Sequence, residues 1–214
     1  MIGVILTAGA ALVIGAPSDA QPSASYPSIF GIQMMTSMSI PECQFSSIAL
    51  KHPEAFKGNS IVEPYDYGTK EICYKRIGSR AGSAEPLVNE LLNVEYPFDK
   101  QPQLATYVSA QVVDGRVQGV TFSTHGVRTQ ELVLSSLEQR FGKPTNLITT
   151  TEQNGFGAKF EVIRASWAMP NDITVTFQGA ASRFDAGLVS ILTSAARAQQ
   201  EQKNRQLLGA GTPM

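Results

Sequence analysis

The residues of this 214-residue chain that could do acid–base or nucleophilic chemistry form no recognisable catalytic motif. The two histidines, His52 and His125, stand in neither a Gly-x-Ser-x-Gly nor a His-Glu-x-x-His motif. Asp114 and Asp172 belong to turn sequences, and residues 155–159 (GFGAK) lack the spacing of a phosphate-binding loop and are interpreted as a hairpin loop. The sequence therefore predicts no catalytic residue, no metal site and no cofactor. A hydrolase site assembled from residues distant in sequence stays open as an alternative.

The two cysteines, Cys43 and Cys73, are predicted to form one disulfide bond. In an oxidising compartment a lone pair of cysteines most simply pairs with itself. Closing a loop of about 30 residues would stabilise the fold by roughly 3.6 kcal/mol by restricting the unfolded chain. The alternatives are a reactive thiol, which would favour Cys-x-x-Cys spacing, and a zinc site, which needs more ligands than two cysteines and two distant histidines provide.

The third feature is the run Tyr65-Asp66-Tyr67, which lies between Pro64 and Gly68 inside the predicted disulfide loop. Tyrosine is a favoured interface anchor, and a disulfide would hold such a loop in one conformation before binding. We therefore predict that Tyr65, Asp66 and Tyr67 contribute to binding a partner. The alternative is that the two tyrosines cover the edge of the core.

The N-terminal sequence predicts export. Residues 2–14 are an uncharged apolar run, and Ser18 and Ala20 fill the positions of a small-residue cleavage site. We predict a signal peptide over residues 1–20 and a mature chain that starts at Gln21. The apolar run is shorter than the roughly 20 residues that span a bilayer, and no second run reaches that length. The expected mature protein is soluble, periplasmic or secreted, and not stably inserted in a membrane.

The composition limits the choice of partner. Charged residues make up 16% of the chain and its formal net charge is −1, so no concentrated basic face is expected. Nucleic acids and anionic membranes are held by such faces, so neither is predicted as a partner. Another envelope or extracellular protein is the partner that we expect.

Local patterns predict the elements that position these residues. Residues 71–77 alternate as a short strand, and residues 86–93 (PLVNELLN) fit a short helix that has Pro86 in its first turn. Residues 104–113 and 116–124 form a β-hairpin around Asp114-Gly115, a pair that suits a type I′ turn. A helix follows over residues 129–141. We expect Thr129 to cap it, Val133 and Leu137 to face the core, and Gly142 to end it.

Strands are predicted over residues 158–169, 173–177 and 187–193, and a helix over residues 194–206. This order indicates an α+β fold with a mainly antiparallel sheet, helices on one face and one disulfide. We divide the chain at the positions where its character changes: a signal peptide (1–20), a linker (21–28), an N-terminal subdomain with the disulfide (29–100), a C-terminal α+β subdomain (101–206) and a flexible tail (207–214).

Residues 129–142 (TQELVLSSLEQRFG), with Lys143-Pro144 after them, follow a helix-then-Gly-x-Pro pattern. Together with the antiparallel strands and the disulfide, this pattern resembles two groups of small cell-envelope proteins. One is the secreted β-lactamase-inhibitor-protein type, and the other is the small outer-membrane-assembly lipoprotein type. This chain differs from the second group because no lipidation cysteine stands at the cleavage site. The pattern also resembles exported bacterial proteins without a characterised activity.

These observations lead to one expected function and two alternatives. The expected function is that of an exported binding protein, such as an inhibitor or accessory factor for another envelope protein. The alternatives are the exported hydrolase named above and a structural or assembly component of the envelope.

Overall fold

The computed structural model describes residues 26–52, 65–66, 68–77 and 85–209, with the side chains of residues 207–209 left out. The predicted signal peptide, residues 21–25 of the predicted linker, Tyr67 and residues 210–214 lie outside the described residues. No helix in these described ranges is long and apolar enough to cross a membrane.

An eight-stranded antiparallel sheet forms the body of the fold. Two elements precede the sheet in the chain. The first is a small hairpin of β1 (Ser28–Ile29) and β2 (Ile32–Gln33), and the second is a short helix, α1 (Ser47–Lys51). The strands of the sheet lie in the order β3-β4-β5-β6-β10-β9-β8-β7. Their bounds are β3 (Cys73–Arg76), β4 (Leu91–Glu95), β5 (Tyr107–Val113), β6 (Arg116–Thr124), β7 (Asn146–Gln153), β8 (Lys159–Ala168), β9 (Ile173–Arg183) and β10 (Ala186–Thr193).

Tight turns hold neighbouring strands in register. Asp114 and Gly115 both have positive φ, 50° and 73°, which confirms the predicted type I′ hairpin between β5 and β6. Asn171 and Asp172 have φ of 59° and 61° and connect β8 to β9 in the same way. Short polar residues occupy these positions because they tolerate the left-handed region better than bulky ones.

One face of the sheet is the core face. A row of directly paired residues crosses all eight strands on this face, and every member is apolar: Tyr74, Val94, Val108, Phe122, Val189, Phe177, Ala165 and Leu147. The helix α2 (Gln130–Phe141) packs on this face through Val133 and Leu137, as predicted. Gly142 ends the helix with φ of 79°, again as predicted. Ile29 and Met34 of the N-terminal segment also pack in this core.

The opposite face is polar, because consecutive residues of a strand point to opposite faces. The last helix, α3 (Ser194–Gly209), packs on one end of this face, where Ala196 contacts Val113 and Leu192. The α+β class, the mainly antiparallel sheet and the single disulfide are therefore confirmed. The helices, however, do not share one face: α2 covers Ile191 on the core face, and α3 covers Leu192 on the other.

Two local predictions are wrong, and one strand was not predicted. Residues 86–93 form no helix, because Leu91 and Leu92 enter β4 and pair with β5. Thr129 makes no side-chain cap for α2, because the 3₁₀ turn Gly126–Arg128 leads directly into the helix. β7 was not predicted at all, since its sequence (NLITTTEQ) has few apolar residues and stays exposed.

The same arrangement of one helix and four strands occurs twice in the chain. A helix precedes four strands that pair in chain order: α1 before β3 to β6, and α2 before β7 to β10. The two four-stranded meanders join where β6 pairs with β10. The predicted N-terminal and C-terminal subdomains thus both supply strands to a single sheet.

Candidate functional site

The disulfide between Cys43 and Cys73 is present, with a Cα–Cα distance of 4.9 Å. It attaches the segment before α1 to the edge strand β3. Backbone hydrogen bonds support it on both sides, from Cys43 N to Tyr74 O (2.8 Å) and from Tyr74 N to Pro41 O (2.9 Å). The bond therefore holds one end of the sheet's β3 edge in place.

Removing the bond with Cys43→Ala and Cys73→Ala together is expected to lower the free energy of unfolding by about 2–4 kcal/mol, since the unfolded chain regains the freedom of the closed loop. Urea denaturation of the two forms measures the difference. Alkylation before reduction provides the independent check, and two reactive thiols in the native protein would contradict the bond.

Tyr65, the first residue of the predicted binding loop, is buried. Its side chain is 5% exposed and stacks on Phe45, with ring centroids 4.8 Å apart. The hydroxyl donates to Glu42 Oε1 at 3.0 Å and accepts from Arg76 N at 3.1 Å. Burial raises the pKa of Tyr65 above its usual value, so the phenol stays protonated. Its burial favours the alternative in which Tyr65 covers the edge of the core.

The other two residues of that loop differ from Tyr65. Asp66 is exposed and lines a cleft of about 680 Å³ beside the disulfide, whereas Tyr67 lies outside the described residues. Charges of both signs line this cleft, and Lys75 Nζ is 3.3 Å from Glu95 Oε1. No three His, Cys, Asp or Glu residues within the described ranges are grouped as metal ligands would be.

A buried arginine fixes the strands next to this cleft. Arg76 Nη1 lies 3.0 Å from Glu90 Oε1, and Arg76 Nε lies 3.5 Å from Glu42 Oε2. Its Nη2 donates to the carbonyl oxygen of Glu85 at 2.6 Å. Buried ion pairs of this kind need several partners to offset desolvation, and these partners come from separate segments of the chain. Arg76 therefore connects β3 to the segments that contain Glu42, Glu85 and Glu90.

The polar face of the sheet is the largest feature that the sequence alone did not reveal. One row of directly paired residues crosses all eight strands and is polar at every position: Lys75, Asn93, Ser109, Thr121, Ser190, Thr176, Ser166 and Asn146. We call this row and its neighbours on the same side the polar face. Alternating polar residues in each strand hint at a solvent-facing side, but the continuous row appears only once the strand register is known.

The adjacent row adds larger side chains to the polar face. It runs through Tyr107, Ser123, Leu188, Gln178, Arg164 and Ile148. The Tyr107 hydroxyl donates to Asn93, and Arg164 donates to Thr150 Oγ1 at 2.8 Å and pairs with Glu152 at 2.5 Å. Tyr107 and Ile148 nevertheless stay about half exposed. Apolar anchors thus lie among hydroxyls and an ordered charge pair.

An exposed phenylalanine stands at the tip of the β7–β8 hairpin. Phe156 is 99% exposed, and the loop is ordered around it because Asn154 Oδ1 accepts from Phe156 N and Ala158 N, both at 3.0 Å. Gly157 has φ of 85°, which suits glycine. The hairpin-loop interpretation of residues 155–159 is confirmed. The loop therefore presents the Phe156 ring to solvent.

The two histidines lie in separate, exposed positions. His52 follows the last residue of α1, and His125 precedes the 3₁₀ turn before α2.

Comparison with known proteins finds no matching family model, no matching curated protein and no matching solved structure. The function is therefore inferred from the geometry of this chain.

Proposed function

We propose that this protein is an exported binding protein, periplasmic or secreted, that holds another envelope or extracellular protein against the polar face of its sheet. The observation that carries the proposal is the polar row that crosses all eight strands opposite an equally continuous apolar row. Within the described residues, α3 packs on one end of the polar face.

The size and chemistry of the face suit a protein partner. Eight strands spaced about 4.8 Å apart extend about 34 Å across, which matches a standard interface patch. Short hydroxyl side chains lose little conformational freedom on binding. Tyr107, a half-exposed aromatic residue, has the properties of an anchor.

The predicted role of residues 65–67 fits at the edge of this surface. Asp66 lines the cleft beside Lys75 and Glu95, and these two residues begin the polar face on β3 and β4. In this proposal Asp66 touches the partner and the buried Tyr65 anchors the backbone next to it, while the predicted role of Tyr67 lies outside the described residues. The disulfide suits an oxidising compartment, and the resemblance to the β-lactamase-inhibitor-protein type favours an inhibitor among the binding roles.

The test places a photo-cross-linking amino acid at Gln178, an exposed residue on the polar face of β9. The matched control is Thr149, which is also exposed but pairs with Ile163 and so belongs to the core side of the edge strand β7. In cells of the native host, we expect the Gln178 probe to give one adduct of discrete mass that the Thr149 probe does not give.

The identified partner then allows an affinity measurement. Gln178→Arg is expected to weaken binding by about tenfold or more, because it places an unmatched charge in the interface, whereas Thr149→Arg should change it by less than about twofold. Melting temperatures of both variants should stay near that of the parent. Equal cross-linking from both positions, or equal affinity of both variants, would remove the polar face from consideration.

A further inference from the structure

A second, chemically different cleft lies on the core side of the molecule. It occupies about 650 Å³ between α2 and the N-terminal hairpin, and this volume falls in the range of small-molecule sites. The apolar side chains that line it come from the hairpin, the sheet, α2 and the connection before β5: Ile29, Phe30, Leu104, Phe122, Leu137 and Phe141.

The cleft runs along one helix. Val133, Leu137 and Phe141 are spaced four residues apart on α2 and all line it, so this apolar stripe is about 12 Å long at 1.5 Å per residue. On the other side, Phe30 meets Phe122 edge-on, with ring centroids 4.9 Å apart. A linear apolar group can follow this stripe along α2.

Among the described residues that line the cleft one is charged, Arg140, at the C-terminal end of the stripe. Its side chain is exposed, and its guanidinium lies 5.7 Å from the centre of the Phe141 ring. It donates one hydrogen bond to the carbonyl oxygen of Ser28. A guanidinium has five N–H donors in a planar fork, so donors remain for an anionic oxygen.

We propose that this cleft binds a single-chain anionic amphiphile, with its acyl chain along Val133, Leu137 and Phe141 and its head group at Arg140. The apolar lining removes the chain from water, and the one cation sets the direction in which the ligand lies. Free fatty acids and lysophospholipids share this chemistry, and the carboxylate of a free fatty acid is the head group to which we commit. This site is separate from the polar face, since it lies on the opposite side of the sheet.

The experiment titrates the mature protein with sodium palmitate, hexadecanol and lysophosphatidylglycerol by isothermal calorimetry. The parent protein should bind palmitate saturably at one site. Arg140→Gln should weaken palmitate binding by about tenfold, the effect of losing one charge-assisted pair, and leave hexadecanol within about twofold. The matched control is Arg128→Gln, an exposed arginine in the 3₁₀ turn before α2, which should change neither.

A second variant tests the cleft without touching its charge. Ser136 is exposed and lines the rim, so Ser136→Trp should obstruct entry and weaken palmitate and hexadecanol alike without disturbing the core. Absence of saturable palmitate binding overturns the proposal, and so does binding that neither variant affects. Equal loss of palmitate and hexadecanol in Arg140→Gln overturns the head-group position, and tighter binding of lysophosphatidylglycerol than of palmitate overturns the choice of a carboxylate head.

Discussion

Trp167→Ala is expected to lower the free energy of unfolding by about 3–5 kcal/mol, the usual cost of truncating a buried tryptophan. Trp167 is 1% exposed and belongs to the core on β8. Its indole Nε1 donates to the carbonyl oxygen of Gly142 at 2.7 Å, at the end of α2. The substitution therefore leaves a cavity and also an unpaired carbonyl where the helix meets the sheet.

Trp167→Phe separates these two effects. It keeps most of the apolar volume and removes the hydrogen bond, so a smaller loss of about 1–2 kcal/mol is expected. Trp167 is the chain's one tryptophan, so its fluorescence reports unfolding of the parent, and circular dichroism follows all three proteins. A loss below about 1 kcal/mol for Trp167→Ala would mean that the contact between α2 and β8 is misplaced.

Elements with strong local signals were predicted from the sequence. The β5–β6 hairpin was found because Asp114 and Gly115 specify a type I′ turn without help from the rest of the chain. The helix α2 was found because Val133 and Leu137 repeat at helical spacing and Gly142 stops the helix. In each case the deciding information lies within a few residues.

Elements specified by distant partners were not predicted. Residues 86–93 have helical spacing, but Leu92 is fully buried in a strand between β3 and β5. That pairing overrides local preference, and no feature of the segment itself indicates it. β7 lacks an apolar face because α2 does not reach over this edge strand, so its alternation is too weak to detect.

Among the candidate sites, too, some could be predicted from the sequence and others could not. The disulfide followed from the lone pair of cysteines and the oxidising compartment that the N-terminal sequence predicts. The burial of Tyr65 depends on Phe45 and Arg76, whose positions become known only when three separate segments meet. The polar face depends on the register of seven strand pairs, because a shift of one residue in any pair would break its row. Residue types close together in the sequence therefore predict the disulfide and the turns. The polar face can be recognised only when the strand pairing of the whole sheet is known.

The glycine between β6 and α2 provides the second large effect. Gly126 has φ of 65°, and a Cβ atom there would lie 2.1 Å from the carbonyl oxygen of Phe184. That carbonyl accepts a hydrogen bond from Val127 N at 2.9 Å. Gly126→Ala is expected to cost about 2–5 kcal/mol, from about 1–2 for the left-handed backbone and the rest for displaced backbone atoms.

Gly142→Ala is the matched control for this prediction. Gly142 also has positive φ, 79°, but a Cβ atom there would meet nothing within 4 Å. Its cost should be that of the left-handed conformation alone, about 1–2 kcal/mol. The difference between the two variants in urea denaturation measures the steric contact between the 3₁₀ turn and the β9–β10 connection. Equal losses would show that this contact relaxes freely, and the turn would then not be what holds α2 in position over the core face.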